Sequence, residues 1–181
     1  MFVLWMAFSA GLLLLFFYAA FLNMRNRNVR NVDLGEMLPS FLPVDVEPLA
    51  RLIESGAEDD KERVQLTMDC LRRMSHNAAL LQRVGYSQLH SPNQLICDLA
   101  QEMIDAGVHV RLYSFIGLAA LQVWSRLHFV LGPLTRIPKA VDLQKLLSAN
   151  LVPAYDQLKN KAGNLTCLKF SSLSEELAHS L

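Results

Sequence analysis

The sequence has no excess of either charge, because 17 lysines and arginines balance 17 aspartates and glutamates. Nucleic-acid-binding domains usually carry a clear basic excess, so the composition predicts no nucleic-acid partner. The one basic concentration, Arg25, Arg27 and Arg30, directly follows a long apolar segment. Membrane topology explains arginines at that position better than a nucleic-acid contact does.

Cysteine is also scarce: Cys70, Cys97 and Cys167 lie far apart in the sequence, and no C-x-x-C pair occurs. Zinc ribbons and thioredoxin-like sites are built on such pairs, so neither has support here. The simplest interpretation is three ordinary thiols in a reducing compartment. One disulfide with a leftover thiol is the alternative.

The motifs of nucleotide binding and nucleophilic catalysis are missing too, since no G-x-x-x-x-G-K-[ST], G-x-G-x-x-G or G-x-S-x-G occurs. No two of the five histidines have HExxH or H-x₃-H spacing. Simple hydrogen bonding explains His76 and His128 better than haem ligation or proton transfer. Asp98, Glu102 and Asp105 fit a solvated helix face better than a cation site. The sequence therefore predicts no catalytic, metal or cofactor residue, and it favours a protein that is not an enzyme.

The most distinctive feature present is the N-terminal stretch Phe2–Leu22, which contains no charged residue. As an α-helix it is about 31 Å long, which matches a hydrocarbon core of about 30 Å. A cleaved signal peptide is the alternative, but nothing basic precedes Phe2 and no A-x-A site precedes Asn23. The segment is therefore predicted to be a transmembrane helix in contact with the lipid bilayer.

The orientation of that helix follows from Arg25, Arg27 and Arg30, which lie within a few residues of its end. Positively charged residues beside a membrane span stay on the cytoplasmic side. We therefore expect a single-pass protein with its N-terminus outside and its C-terminal domain in the cytoplasm.

The remaining chain divides into a basic and then proline-containing linker, residues 23–43, and a helical domain, residues 44–181. Hydrophobic residues in the domain recur at helical spacing, and no period-two alternation typical of strands occurs. The fold class is therefore predicted to be all-α, with a small multi-helix bundle after the membrane anchor. The predicted helices are Asp45–Ser55, Asp59–Val84 ending before Gly85, Ser91–Ala106 ending at Gly107, His109–Leu131, Asp142–Asn150, Pro153–Lys161 (a second helix or a kinked continuation) and Ser172–His179. Leu165–Phe170 is a candidate extended segment.

Two of these helices have hydrophobic patterns that predict how they pack. The helix from Asp59 has one apolar stripe, with a polar face opposite that includes Arg72, Arg73 and Gln82. The stripe consists of Val64, Met68, Leu71, Met74, Ala78 and Leu81. His109–Leu131 is apolar on most sides, which is typical of the central helix of a bundle. A re-entrant or interfacial segment is the alternative for its part Leu112–Trp124.

These features favour a non-catalytic interaction or scaffolding module that is anchored in a membrane and binds an unidentified protein partner. Arg72 and Arg73 are the candidate interaction surface. A second hypothesis is a membrane-bound enzyme or carrier with an apolar pocket for a lipid or haem near Tyr113, Trp124 and His128. A third is a subunit of a membrane complex, with Leu112–Trp124 also inserted in the bilayer.

Overall fold

A computed structural model describes residues 37–44, 60–131 and 140–169. These ranges form one 3-10 turn and three α-helices, and no strand occurs within them. The helices are α1, Asp60–Gln88; α2, Gln94–Leu131; and α3, Ala140–Lys169. The all-α prediction is confirmed for this part of the chain. Three predicted features lie outside the described residues: the anchor with its arginines, the helix Asp45–Ser55 and the helix Ser172–His179.

The turn between α1 and α2 reverses the chain so that the two helices pack side by side. Asn93 caps α2, because its side-chain oxygen accepts a hydrogen bond from the amide of Leu95 at 3.0 Å. The amide of Ser91 donates to the last carbonyl of α1, that of Gln88, at 3.0 Å. The predicted start of this helix at Ser91 is therefore wrong, since the helix begins at Gln94.

Gly85 and Gly107 do not end helices, which corrects the sequence prediction at both positions. Each lies inside a continuous helix, directly against the neighbouring helix. A Cβ atom added to Gly85 would lie 2.8 Å from Cγ1 of Ile104, and one added to Gly107 would lie 2.5 Å from Cγ of Gln82. These glycines therefore permit close packing of the two helices rather than terminating them.

The C-terminal half of the bundle is one helix, α3, where the sequence suggested two helices or one kinked helix. It continues through Pro153 and Gly163 to Lys169, so the extended segment proposed for Leu165–Phe170 is wrong up to Lys169. Tertiary packing explains the continuation, since Leu165 is only 1% exposed and Thr166 only 3% exposed. Leu165 and Thr166, beyond Gly163, therefore lie on the core-facing side of the helix.

The core lies between the three helices, and the apolar stripe predicted on α1 faces it. Five stripe residues are buried and Met68 is partly buried, so the stripe is confirmed. Gln82, predicted on the outer polar face, is buried instead. Among the described residues, the largest fully buried apolar side chains are Met74, Leu81, Met103, Val110, Leu121, Leu158 and Leu165.

Helix α2 packs against both α1 and α3, as the prediction of a central helix requires. Within the described residues, Gln94–Val123 is the one stretch that is long and apolar enough to cross a membrane. Length and composition alone define this property, and core helices of soluble proteins share it. The described candidate thus lies in the middle of the chain, whereas the sequence placed the membrane span at the N-terminus.

Candidate functional site

The side of α2 that faces away from the bundle is apolar and exposed. We call it the outer face, and it consists of Val108, Leu112, Ile116 and Val123, which are 38–56% exposed. Because these residues are four or seven positions apart, they lie on one side of the helix. An apolar surface that is continuous along a helix, rather than scattered, is typical of a site of interaction.

Polar side chains on the opposite side of α2 point into the bundle. The guanidinium of Arg111 donates to the side-chain oxygen of Gln82 at 2.7 Å, and the Gln82 amide nitrogen donates to the carbonyl of Ile104 at 3.2 Å. Ser114 is fully buried on the same helix. Arg111 and Ser114 therefore direct polar groups into the bundle, while the apolar Leu112 and Ile116 of the same helix are exposed.

A second surface lies on α1, where the segment Met37–Val44 packs across the helix. Asn77 binds both backbone groups of Leu42: its side-chain oxygen accepts from the amide at 2.9 Å, and its nitrogen donates to the carbonyl at 2.8 Å. The same nitrogen donates to the hydroxyl of Tyr155 on α3 at 2.9 Å. Asn77 therefore ties the segment to two helices at once.

Two neighbours of Asn77 complete what we call the backbone groove. Arg73 donates to the carbonyl of Pro43 at 3.1 Å, and His76 Nε2 donates to the carbonyl of Ser40 at 3.1 Å. Phe41 is only 5% exposed and is the one buried side chain of the segment. The groove therefore binds the main chain at three residues and buries one aromatic side chain.

The predicted interaction surface, Arg72 and Arg73, lies on the exposed side of α1 as expected. Arg72 forms an ion pair with Asp69 at 2.7 Å. Arg73 is occupied by its hydrogen bond to Pro43 in the groove. The two arginines therefore have different surroundings, and Arg73 belongs to the site that holds the segment.

Burial raises the pKa of Tyr155 from its ordinary value of 10.0 to about 12, although the hydrogen bond from Asn77 acts in the opposite direction. A raised pKa means that the folded protein favours the neutral phenol of Tyr155. The contribution of this phenol to the free energy of unfolding is therefore complete below pH 10 and is lost as the pH rises through 12. We expect the free energy of unfolding to fall by on the order of 2–3 kcal/mol across this range because of Tyr155.

Urea unfolding between about pH 9 and pH 12 measures this effect, with Tyr155→Phe as the matched control. The variant should lose the part of the pH dependence that belongs to the phenol. An identical pH dependence in both proteins would contradict the burial of this hydroxyl.

Two open clefts lie beside α2. The first, between α2 and α3, has a volume of about 310 Å³ and is lined by His109, Tyr113, Asn150 and Pro153, among others. The second, between α1 and α2, has a volume of about 430 Å³ and includes Tyr86, His90 and Asp105. Tyr113, predicted beside an apolar ligand pocket, thus lines a cleft with polar walls. The side chains of Trp124 and His128 lie outside the described residues.

The three carboxylates of the exposed face of α2 make separate contacts. Asp98 accepts from Gln94 at 2.9 Å, Asp105 accepts from Gln101 at 3.1 Å, and Glu102 pairs with Lys161 of α3. No group of three potential metal ligands comes together within the described ranges.

Cys70, Cys97 and Cys167 form no disulfide within the described residues. The Cys97 thiol donates to the carbonyl of Ser91 at 3.2 Å and thereby supports the turn before α2. The candidate sites are accordingly the outer face of α2 and the backbone groove of α1. Comparison of the chain with protein-family models, with curated proteins and with solved structures found no match in any of the three.

Proposed function

We propose that this protein is a non-catalytic interaction module, held at the cytoplasmic face of a membrane by Phe2–Leu22, and that its bundle binds a protein partner. The observation that carries the proposal is the exposed outer face of α2. Val123 is 56% exposed and Ile116 is 45% exposed on a helix whose opposite side packs in the core. Covering apolar surface of this kind is the main favourable contribution to protein association.

The arrangement of α2 supports a protein partner for this face. Its inward side already contacts α1 and α3, so the outer face is an additional surface. A helix face with apolar residues at four-residue spacing fits the groove of another helical protein. The acidic residues Asp98 and Asp105 lie before the apolar part of the same face, and such charges contribute to the choice of partner at an interface rim.

A subunit of a membrane complex is the second candidate, with the outer face of α2 in contact with lipid. The apolar stretch Gln94–Val123 supports it, since only 33% of its most apolar window is buried. The polar contacts of Arg111 inside the bundle also suit a helix that faces lipid with its apolar side. The carrier hypothesis has weaker support, because the described clefts beside α2 are open and partly polar.

The test is crosslinking of the full-length protein in its native membrane, followed by capture through a C-terminal tag and mass spectrometry. We expect the double substitution Leu112→Gln with Ile116→Gln to reduce capture of the partner at least about tenfold, since burial of one such side chain contributes about 1.5–3 kcal/mol. The matched control, Arg72→Gln, removes an exposed charge of α1 without touching the groove contact of Arg73, and it should retain the partner.

If only the arginine variant loses capture of the partner, the binding site lies on the exposed side of α1 and not on the outer face of α2. Capture that neither variant changes would contradict both surfaces. A photoactivatable lipid that labels Ile116 in the wild-type protein, together with unchanged capture, would favour the membrane-subunit candidate instead.

A further inference from the structure

We propose that the exposed side of α1 binds anionic phospholipid headgroups, so that the bundle lies with this side against a negatively charged bilayer. The surface, which we call the basic face, consists of Arg72, Arg73 and Arg83, with His76 between them. It is separate from the outer face of α2. The inference therefore goes beyond the protein partner proposed for α2 and relies on the proposed function only for the location at a membrane.

The charges of the bundle are segregated between its helices, although the whole chain is neutral. Residues 70–88 of α1 include three arginines and no aspartate or glutamate. Residues 94–107 of α2 include three carboxylates and no lysine or arginine. The zero net charge of the chain therefore conceals a helix that presents positive charge alone over most of its length.

The basic residues of α1 lie on one side of the helix. Arg72 and His76 are four positions apart, and His76 and Arg83 are seven positions apart, which are spacings that return to the same side. Arg72, Arg73 and His76 are exposed, and Arg83 is half-buried. From Arg72 to Arg83 the basic face extends about 16 Å along the helix.

The described part of the chain does not neutralise these arginines fully. Arg72 pairs with Asp69 at 2.7 Å, whereas Arg73 donates to the uncharged carbonyl of Pro43 at 3.1 Å. Arg83 has no ion pair within the described residues, and its Nε atom is buried without a hydrogen-bond partner. A cation that is partly removed from water and lacks a counterion is unfavourable, so an anion at this face would offset the cost.

The shape of the basic face favours a bilayer over an acidic protein segment. The face is the exposed side of a helix, and neither of the two clefts beside α2 is lined by one of its arginines. A flat surface with many phosphates can contact several separated arginines at once, whereas an acidic peptide would need its carboxylates in register with them. Anionic lipids attract each basic residue near the bilayer surface with about a fivefold gain in affinity.

The surroundings of the basic face limit how the bundle can lie on a bilayer. Tyr86, three positions after Arg83, lines the same open cleft as Val108 of the outer face. Asp105 lies in this cleft too, and anionic lipid repels its carboxylate. Contact with the bilayer is therefore limited to the side of α1, and the outer face of α2 stays accessible to a protein partner.

The test measures how closely α1 approaches lipid headgroups when the full-length chain is reconstituted in vesicles. A fluorescent amino acid replaces Gln65, which is exposed and lies on the side of the basic face, seven positions before Arg72. A trace of phospholipid with a spin-labelled headgroup quenches this fluorophore at short range. Quenching should be strong in vesicles of phosphatidylcholine with phosphatidylserine and weak in phosphatidylcholine alone.

Two double variants with the same change in net charge separate the basic face from general electrostatics. Arg72→Gln with Arg83→Gln should reduce the ratio of docked to undocked bundle at least about tenfold, since each arginine contributes about fivefold. The matched control on α3, Lys159→Gln with Lys161→Gln, should leave this ratio unchanged. A fluorophore at Asn164, which is exposed on α3, should be quenched equally in both lipid mixtures.

High salt gives a second measurement that needs no substitution in the basic face. At about 1 M salt the Debye length falls to about 3 Å, so the part of the quenching that depends on phosphatidylserine should disappear. Quenching that persists unchanged at this salt concentration would contradict an electrostatic contact.

Equal quenching in both lipid mixtures would overturn the proposal, and a response to added polyglutamate in its place would identify an acidic protein as the partner. An equal loss in the two double variants would overturn it as well. Flotation with phosphatidylcholine vesicles tests the membrane anchor separately. Failure of the anchor is therefore distinguishable from failure of the basic face.

Discussion

Substitution of Gly107 by valine should lower the free energy of unfolding by about 1–3 kcal/mol, the usual cost of overpacking a core. An added Cβ would lie 2.5 Å from Cγ of Gln82 and 3.4 Å from the carbonyl oxygen of Ala78. Gln82 cannot rotate away freely, because its amide group is bonded to both Ile104 and Arg111. The added atoms must therefore separate α1 from α2 or break these hydrogen bonds.

The matched control is Gly163→Ala in α3, where an added Cβ has no neighbour within 4 Å. Alanine is more favourable than glycine inside a helix, so this variant should gain about 0.5–1 kcal/mol. Urea unfolding of the detergent-solubilised chain, followed by helical circular dichroism, measures both. Equal stability of Gly107→Val and the wild type would mean that α1 and α2 are not in close contact at this point.

Substitution of Asn77 by alanine should have the second large effect, a loss of about 2–3 kcal/mol. The Asn77 side chain is fully buried and makes three hydrogen bonds, two to Leu42 and one to Tyr155. Alanine removes all three and leaves buried polar groups that must find water. Both the bundle core and the attachment of Met37–Val44 should weaken.

Limited proteolysis gives a second measure, since the segment should be cleaved faster in Asn77→Ala than in the wild type. His76→Ala is the matched control, because His76 is exposed and its one hydrogen bond within the described residues is to the carbonyl of Ser40. Its cost should be about 0.5–1.5 kcal/mol. Similar losses in the two variants would argue against a special role of Asn77 in holding the segment.

Hydrophobic spacing predicted the parts of the fold that depend on local sequence. The stripe on α1 was recognised because a core-facing helix repeats its apolar positions every three or four residues, and the structure buries Val64, Leu71 and Met74 in it. The acidic side of α2 was recognised in the same way. Both patterns are properties of one helix and need no knowledge of its neighbours.

The glycines were misread because a sequence does not distinguish a glycine that ends a helix from one that admits another helix. Gly85 and Gly107 have the second role, which depends on where α1 meets α2. The sequence also did not predict the backbone groove, for a related reason. An amide such as Asn77 within Met74–Leu81 signals a buried polar contact, but its partner Leu42 is 35 residues away.

The sequence by itself determined the helical class, the core stripe of α1, the apolar character of α2 and the prediction of an N-terminal membrane anchor. These follow from composition and from the period of the helix, which are local. Only the tertiary structure decided that Gln82 and Arg111 face inward, that Leu112 and Ile116 face outward, and that Asn77 holds Met37–Val44. The physical reason is that the exposed side of a mostly apolar helix depends on which neighbours cover it, and those neighbours come from distant parts of the chain.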